Sequence, residues 1–174
     1  MNIKELEDCI YTYGKDIFAL CKQLTSNNYE AEELYQDTFL KAIELKNKID
    51  KQHNPRSYLA SITIRLWNNK RRKYAWRQRI APTEQLDDQL DTLPNEDSLE
   101  ELYLHKEQKM IVQQAIKELS DKYKVPIYLY YILKLSIDEI ARILKKPKGT
   151  IKSRLHKARQ LLKEKLEVIF DEEK

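Results

Sequence analysis

The sequence predicts an all-α fold of two small helical domains joined by a flexible acidic linker. Apolar residues recur with helical spacing along nearly the whole chain. Only two of the 174 residues are glycine, which is too few for the turns of a β-rich fold. Charge alternates along the chain in four blocks, acidic, basic, acidic and basic. These observations predict domains at residues 1–76 and 105–170, with a linker at 77–104.

Composition also excludes several classes of protein. No run of about 18 apolar residues is present, so we expect no direct insertion into a membrane. The first residues, MNIKELEDCI, do not resemble a secretory signal. Cys9 and Cys21 match no zinc or redox spacing, and we expect buried thiols in a reducing cytoplasm. No catalytic constellation, cofactor motif or metal-ligand set is recognisable, so the sequence predicts a binding factor rather than an enzyme.

Three or four helices are expected in the N-terminal domain. An apolar stripe from Leu6 to Leu24 predicts the first, and Asn27-Asn28 ends it. The segment EAEELYQDTFLKAIELK predicts an amphipathic second helix. Asn54-Pro55 predicts the start of the third, because asparagine caps helices and proline at the first position sacrifices no hydrogen bond. That helix ends in a basic run, and we expect Trp67 in the core, with Trp76 either in the core or against DNA.

The linker is expected where periodicity is weak, from about residue 78 to residue 99. Pro82 and Pro94 lie in it, and residues 83–105 contain acidic side chains but no lysine or arginine. A solvated linker explains these acids well. A helical pattern resumes near Leu102. Ser120 is a plausible cap for the next helix, and Pro126 predicts a kink or a late start there.

The segment LSIDEIARILKKPKGTIKSRLHKARQLLKEKL predicts a helix-turn-helix. Ser136 and Glu139 form a capping box. The serine oxygen accepts a hydrogen bond from an early backbone N–H of the helix, and the glutamate reaches back to the backbone N–H of the serine. The segment KKPKG supplies the turn, and the second helix presents basic donors outward. Such a face suits the DNA major groove. The alternative is a solvated basic helix in an ordinary bundle.

These segments together resemble bacterial RNA polymerase sigma factors. The C-terminal segment looks like sigma region 4, a helix-turn-helix. The segments EAEELYQDTFLKAI and NPRSYLASITIRLWNNKRRK look like the helical bundle of sigma region 2. Possession of these two regions alone is similar to the extracytoplasmic-function (ECF, group IV) members of the sigma-70 family. The chain departs from the family at Lys145-Lys146-Pro147, where a glycine often follows the first helix, at Arg65, where an asparagine is common, and at Pro55-Arg56, which are aromatic in some members.

The resemblance implies three binding surfaces. The polar face of the second helix would dock on the clamp helices of core RNA polymerase through Glu32, Glu33, Gln36 and Asp37. The loop and helix that follow would capture and hold the −10 promoter element through His53, Asn54, Arg56, Ser57, Arg65, Lys70, Arg71, Arg72 and Lys73. The helix-turn-helix would bind the −35 element through Lys148, Thr150, Lys152, Ser153, Arg154, Lys157 and Arg159.

Each surface has a simpler interpretation. The acidic face of the second helix also fits an ordinary solvated surface, and the loop before Pro55 also fits a capping turn. Lys and Arg near residues 65–73 are expected to hold phosphates rather than to read bases, because charge neutralisation gives affinity without sequence choice. Arg154 is the first candidate for a base contact, since arginine bonds guanine through two parallel hydrogen bonds.

The resemblance also implies partners and regulation. The expected function is that of an alternative sigma factor which directs promoter-specific transcription initiation in the cytoplasm, with core polymerase and promoter DNA as partners. The family is often held inactive by an anti-sigma factor, soluble or membrane-anchored. The acidic linker would follow the RNA exit path of the polymerase. Two rival functions remain: a dimeric operator-binding regulator and a nucleic-acid enzyme.

Overall fold

The structure, a computed structural model, describes residues 3–45, 54–82 and 100–172. In these ranges it contains helices and no strand, which confirms the all-α prediction. The helices are α1 (Ile3–Leu24), α2 (Asn28–Glu44), α3 (Pro55–Ile80), α4 (Glu100–Lys117), α5 (Asp121–Tyr131), α6 (Ile137–Leu144) and α7 (Lys148–Glu172).

The N-terminal unit packs α1, α2 and α3 against one another. Ile17, Leu34 and Leu59 are fully buried at its centre. Each such side chain stabilises the fold by about 1.5–3 kcal/mol relative to exposure, more than a surface ion pair does. Helices α1 and α2 approach closely at Gly14, where a Cβ atom would lie 2.8 Å from the Tyr35 hydroxyl oxygen. A larger residue at this position would therefore require the Tyr35 side chain to shift.

Asparagine caps begin two of these helices. The Asn27 side chain accepts a hydrogen bond from the Glu30 backbone N–H at 2.8 Å. The Asn54 side chain accepts one from the Arg56 N–H at 3.1 Å, and Pro55 is the first residue of α3. The predicted start of the third helix is therefore confirmed.

Helix α3 is longer than the predicted N-terminal domain. It continues through Ile80 because no helix breaker precedes Pro82. Trp67 is only 8% exposed, as predicted, whereas Trp76 lies in the extension and is 65% exposed. Helix α4 begins at Glu100, so helices occupy both ends of the predicted linker, and residues 83–99 lie outside the described ranges.

The C-terminal unit consists of α4 to α7. Helix α5 starts at Asp121, directly after Ser120, so the late start considered for Pro126 is wrong. Pro126 lies buried in the second turn, where its missing N–H removes a single hydrogen bond from the helix. Helix α5 packs against α7, α3 packs against α6, and α1 packs against α5, so the two units are in contact.

The capping box predicted for the helix-turn-helix is present. The Glu139 N–H donates to Ser136 Oγ at 3.2 Å, and the Ser136 N–H donates to Glu139 Oε2 at 2.8 Å. Helix α6 ends at Lys145, whose φ of 53° and ψ of 48° lie in the left-handed region. This region favours glycine because a Cβ atom meets the neighbouring carbonyl oxygen there. The turn is thus built on a strained lysine.

Replacement of this lysine is expected to stabilise the C-terminal unit. Lys145→Gly removes the left-handed strain, which outweighs the added backbone entropy, and should raise the free energy of unfolding by about 0.5–1 kcal/mol. Lys146→Gly is the matched control. Lys146 has no positive φ, so glycine at this position relieves no strain and only increases the backbone entropy of the unfolded chain. Urea unfolding measures both. Equal destabilisation by the two variants would show that Lys145 is not strained.

Candidate nucleic-acid and protein-binding interfaces

The recognition helix α7 presents two sets of donors. Its buried face consists of Ile151, Leu155 and Ala158. Thr150, Ser153 and Lys157 follow a spacing of three and four residues on the side away from this face. Ser153 and Lys157 are exposed there, and Arg154 beside them is half-buried. The Ser153 hydroxyl donates to the Thr150 carbonyl oxygen at 3.0 Å, so Arg154 and Lys157 are the long donors that this outer face offers to a groove.

The second set lies on the flank of α7, close to the other helices of its unit. Lys148 Nζ forms an ion pair with Asp138 of α6 at 2.8 Å. Arg159 Nη1 donates a hydrogen bond to the Tyr131 hydroxyl oxygen at 2.9 Å. Lys152 lies on the same flank by its helical spacing. These basic residues are partly engaged within the protein, whereas the outer row is turned to solvent.

A basic row with one aromatic residue runs along the exposed side of α3. Successive members of the row Arg65, Arg72, Trp76 and Arg79 are seven, four and three residues apart, a spacing that places them on one helical face. All four are exposed. Lys73 is also exposed but lies on the flank of this face. Proteins that bind single-stranded nucleic acids use arginine for phosphate contact and exposed aromatic rings for base stacking.

Lys70 does not belong to this row. It lies three residues after Trp67 and seven after Thr63, both of which are buried, and this spacing places it on the inner side of α3. Its Nζ forms ion pairs at 3.0 Å with both Glu33 and Asp37 of α2. Burial of the ammonium group lowers the pKa of Lys70, but these carboxylates outweigh burial and raise it above its ordinary value.

The residues at the start of α3 are turned toward the C-terminal unit. Asn54 and Arg56 contact residues of that unit, as does Arg71 further along the helix. Ser57 is half-buried. His53, the fourth predicted member of the −10 loop, lies outside the described residues. The structure therefore separates the predicted −10 residues into an outward row, an ion-paired lysine and a set that faces the other unit.

Helix α2 carries a mixed acidic and apolar face. Glu32 and Gln36 are exposed on it, as predicted for a docking surface. Three apolar side chains that the sequence analysis did not select continue the same face, namely Tyr29, Leu40 and Ile43, which are 77%, 59% and 44% exposed. The sequence could have identified these residues, because apolar residues that lie outside the buried face of an amphipathic helix suggest contact with a partner.

The described residues hold neither a metal-binding cluster nor a membrane-spanning helix. Within 3–45, 54–82 and 100–172, no group of three or more His, Cys, Asp or Glu side chains is arranged to hold a metal ion. No helix in those ranges is long and apolar enough to cross a membrane. Cys9 and Cys21 are buried free thiols, as predicted, and burial raises the pKa of Cys21 to about 12.

Comparison with known proteins agrees with this division. The family model described as Sigma-70 region 2 matches residues 9–77, and the one described as Sigma-70, region 4 matches residues 109–162. The curated protein ECF RNA polymerase sigma factor SigW of Bacillus subtilis is 31% identical over 91% of this chain and 87% of its own length.

Solved structures show the same fold. The sigma factor RpoE from Bartonella quintana, in complex with the anti-sigma factor NepR, superposes with a TM-score of 0.79. It is 23% identical, and the match covers 95% of this chain and 99% of that one. CnrH, in complex with the cytosolic domain of CnrY, has a TM-score of 0.64 and 19% identity over 96% of this chain and 90% of its own.

The sequence models and the SigW relationship together extend over both helical units and most of the chain. The protein belongs to the extracytoplasmic-function group of the sigma-70 family of RNA polymerase sigma factors.

Proposed function

We propose that this sigma factor binds core RNA polymerase through α2, opens and holds the −10 element with α3, and reads the −35 element with α7. The observation that carries the proposal is the pair of outward donor rows, one on each helical unit. A promoter is one polymer with two separated elements, and two basic surfaces on one chain suit it. The chain acts as a binding factor, with core polymerase supplying the chemistry.

At the −35 element, the outer row of α7 reads bases. Ser153, Arg154 and Lys157 reach the groove, and Arg154 is suited to pair with a guanine edge. Thr150 lies near the N-terminus of α7, where backbone N–H groups favour a phosphate. The flanking residues Lys148, Lys152 and Arg159 hold phosphates and set the register of the helix.

At the −10 element, the exposed row of α3 binds the backbone. Arg65, Arg72 and Lys73 neutralise phosphates, and Trp76 offers an indole face on which an unpaired base stacks. The loop and first turn, with His53, Asn54, Arg56 and Ser57, capture an extruded base through its hydrogen-bonding edge. Arg71 joins this surface once it leaves its contact with the C-terminal unit.

Toward the polymerase, α2 provides an apolar centre with an acidic rim. Leu40 and Ile43 bury against the partner helix, and Glu32, Glu33, Gln36 and Asp37 pair with its basic side chains. Lys70 orients the carboxylates of Glu33 and Asp37 and so belongs to this surface rather than to the DNA surface. The acidic residues between α3 and α4 follow the RNA exit path.

An anti-sigma factor is the proposed inhibitor of this protein in the cytoplasm, either soluble or anchored in the membrane. RpoE and CnrH were each solved in complex with an anti-sigma factor or with the cytosolic domain of a partner, NepR and CnrY. Those complexes share the fold of this chain, which supports an inhibitor that engages both units.

Reconstituted transcription tests the proposed function. Core polymerase mixed with this protein and a promoter library should initiate at a defined set of sites that core polymerase alone does not use. A gel-shift assay without polymerase should show weak promoter binding, whereas an operator-binding regulator would bind tightly alone. Start sites identical to those of core polymerase would contradict the proposal, and metal-dependent cleavage of the DNA would favour a nucleic-acid enzyme.

Leu40 is expected to decide affinity for the polymerase. Leu40→Glu places a charge in the apolar centre of the proposed interface and should weaken core binding at least about tenfold. Because Leu40 is 59% exposed, thermal stability should not change. Met110→Glu is the matched control, since Met110 is 60% exposed but lies on α4. Equal binding of both variants, measured by fluorescence anisotropy, would remove α2 from the interface.

Lys70 and Lys73 should differ in their effects on DNA. Lys73→Ala removes a phosphate contact and should reduce the slope of log K against log salt by about 1 for promoter binding by the polymerase complex. Lys70→Ala should leave that slope unchanged and lower the free energy of unfolding by no more than about 1 kcal/mol, because its ion pairs are half-exposed. A slope reduced by Lys70→Ala as well would return Lys70 to the DNA surface.

A further inference from the structure

The side chain of Arg56 joins the two helical units. Its Nη1 donates a hydrogen bond to the carbonyl oxygen of Leu133, after the end of α5, at 3.0 Å. Its Nη2 lies 3.5 Å from Asp16 Oδ2 of α1, and its guanidinium lies 5.0 Å from the centre of the Tyr13 ring. Arg56 therefore spans from α1 and α3 to the chain segment that leads into the helix-turn-helix.

Asn54 makes a second contact in the same direction. Its Nδ2 donates to Glu139 Oε1 at 3.1 Å, and Glu139 is the capping-box residue of α6. Burial raises the pKa of Glu139, but hydrogen bonds from Ser136 and Asn54 outweigh burial and lower it below its ordinary value. The carboxylate is thus held charged between the cap of α6 and the cap of α3.

Arg71 makes a third contact, fifteen residues further along α3. Its Nη1 forms an ion pair with Asp121 Oδ2 of α5 at 2.9 Å, while its guanidinium lies 4.7 Å from the centre of the Trp67 ring. Trp67 is itself part of the N-terminal core. The ring fixes the arginine on α3, so the ion pair fixes α5 relative to that helix.

The apolar packing of the two units is continuous at this junction. Buried side chains from α1, α2 and α3 and from α4 to α7 belong to one cluster. Tyr128 of α5 is only 6% exposed, and burial together with the nearby Asp16 and Cys21 of α1 raises its pKa to about 12. The polar contacts therefore lie around an apolar junction that is packed between the two units.

We propose that this junction is an autoinhibitory interface, in which the C-terminal unit covers part of the −10 surface of the same chain. The inference rests on the proposed function, because that function assigns Asn54, Arg56 and Arg71 to the −10 element. In the docked form their donors are bound to Glu139, the Leu133 carbonyl and Asp121. Contact of these three side chains with a base or a phosphate therefore competes with the bonds that hold the units together.

The spacing of the two promoter elements requires this separation. Elements named −10 and −35 lie about 25 base pairs apart, roughly 85 Å at 3.4 Å per base pair. A compact chain of 174 residues has a radius of gyration of about 16 Å. Docked units cannot reach both elements at once, so the contacts that mask the −10 surface must break before both are bound.

Small-angle X-ray scattering of the full chain tests the interface. Asp121→Arg sets two like charges opposite each other and should raise the radius of gyration by about a fifth over wild type. Arg71→Asp combined with Asp121→Arg restores the ion pair in reverse and should return the compact form. Arg56→Ala tests the junction at its other contact and should expand the chain as well. Glu107→Arg, an exposed position on α4, carries the same charge change and should stay compact.

A wild-type radius equal to those of Asp121→Arg and Arg56→Ala, all of them expanded, would overturn the interface. Circular dichroism confirms that each variant keeps its helices. The same outcome follows if all of these proteins are equally compact, because the three polar contacts would then not hold the units together.

Binding of random-sequence single-stranded DNA tests the masking. Asp121→Arg should bind several times more tightly than Glu107→Arg at the same salt concentration, because Asn54, Arg56 and Arg71 are released from the junction only in the former. Equal affinities would show that the junction masks nothing. These readouts need no polymerase, so they fail separately from the proposed function: a chain that initiates transcription but is expanded alone refutes only the interface, and a compact chain that never initiates refutes only the function.

Discussion

The burial of the Arg56 guanidinium is the constraint on which the arrangement of the two units depends. Arginine stays charged at every physiological pH, so its buried donors must find acceptors inside the protein. Asp16 and the Tyr13 ring, both on α1, and the Leu133 carbonyl after α5 supply partners from two segments, whereas Nε has no hydrogen-bond partner. A shift of any one segment would leave more of this charge without a partner.

Scarcity of glycine shapes the rest of the chain. With two glycines available, helix ends depend on side-chain caps such as Asn27, Asn54 and Ser136. Where the backbone must turn left-handed, the chain uses Lys134 and Lys145, both with positive φ. These lysines flank α6, so the first helix of the helix-turn-helix lies between two strained residues. Strain of this kind persists only when surrounding contacts hold it, and the capping box is one of them.

Local patterns predicted the parts of the structure that are fixed locally. The cap at Asn54, the capping box at Ser136 and the burial of Trp67 follow from spacing alone, and so does the helical class. The side of α3 on which Lys70 lies could also be predicted from its spacing of seven residues from Thr63. The run of basic residues around Lys70 instead suggested that all of them share one surface. The contacts of Asn54, Arg56 and Arg71 with the second unit could not be predicted, because they join residues about 50 to 85 positions apart that no periodicity relates.

The surfaces that remain exposed in the docked form suggest an order for the binding steps of the proposed initiation. The apolar centre of α2, at Leu40 and Ile43, is exposed while the two units are in contact, and so are Ser153 and Lys157 on α7. Of the proposed −10 surface, Asn54, Arg56 and Arg71 are engaged in the junction, whereas the row on α3 that contains Trp76 is exposed. Polymerase can therefore bind the closed chain first, and the free energy of that binding is available to separate the units. The polar contacts of the junction are partly exposed, with Arg56 26% and Asp121 37% accessible, so each costs little to break, and the apolar packing around Tyr128 makes up the larger part of the cost of separation. Under the proposed autoinhibition, release of Asn54, Arg56 and Arg71 is then confined to the polymerase-bound state, where single-stranded promoter DNA forms.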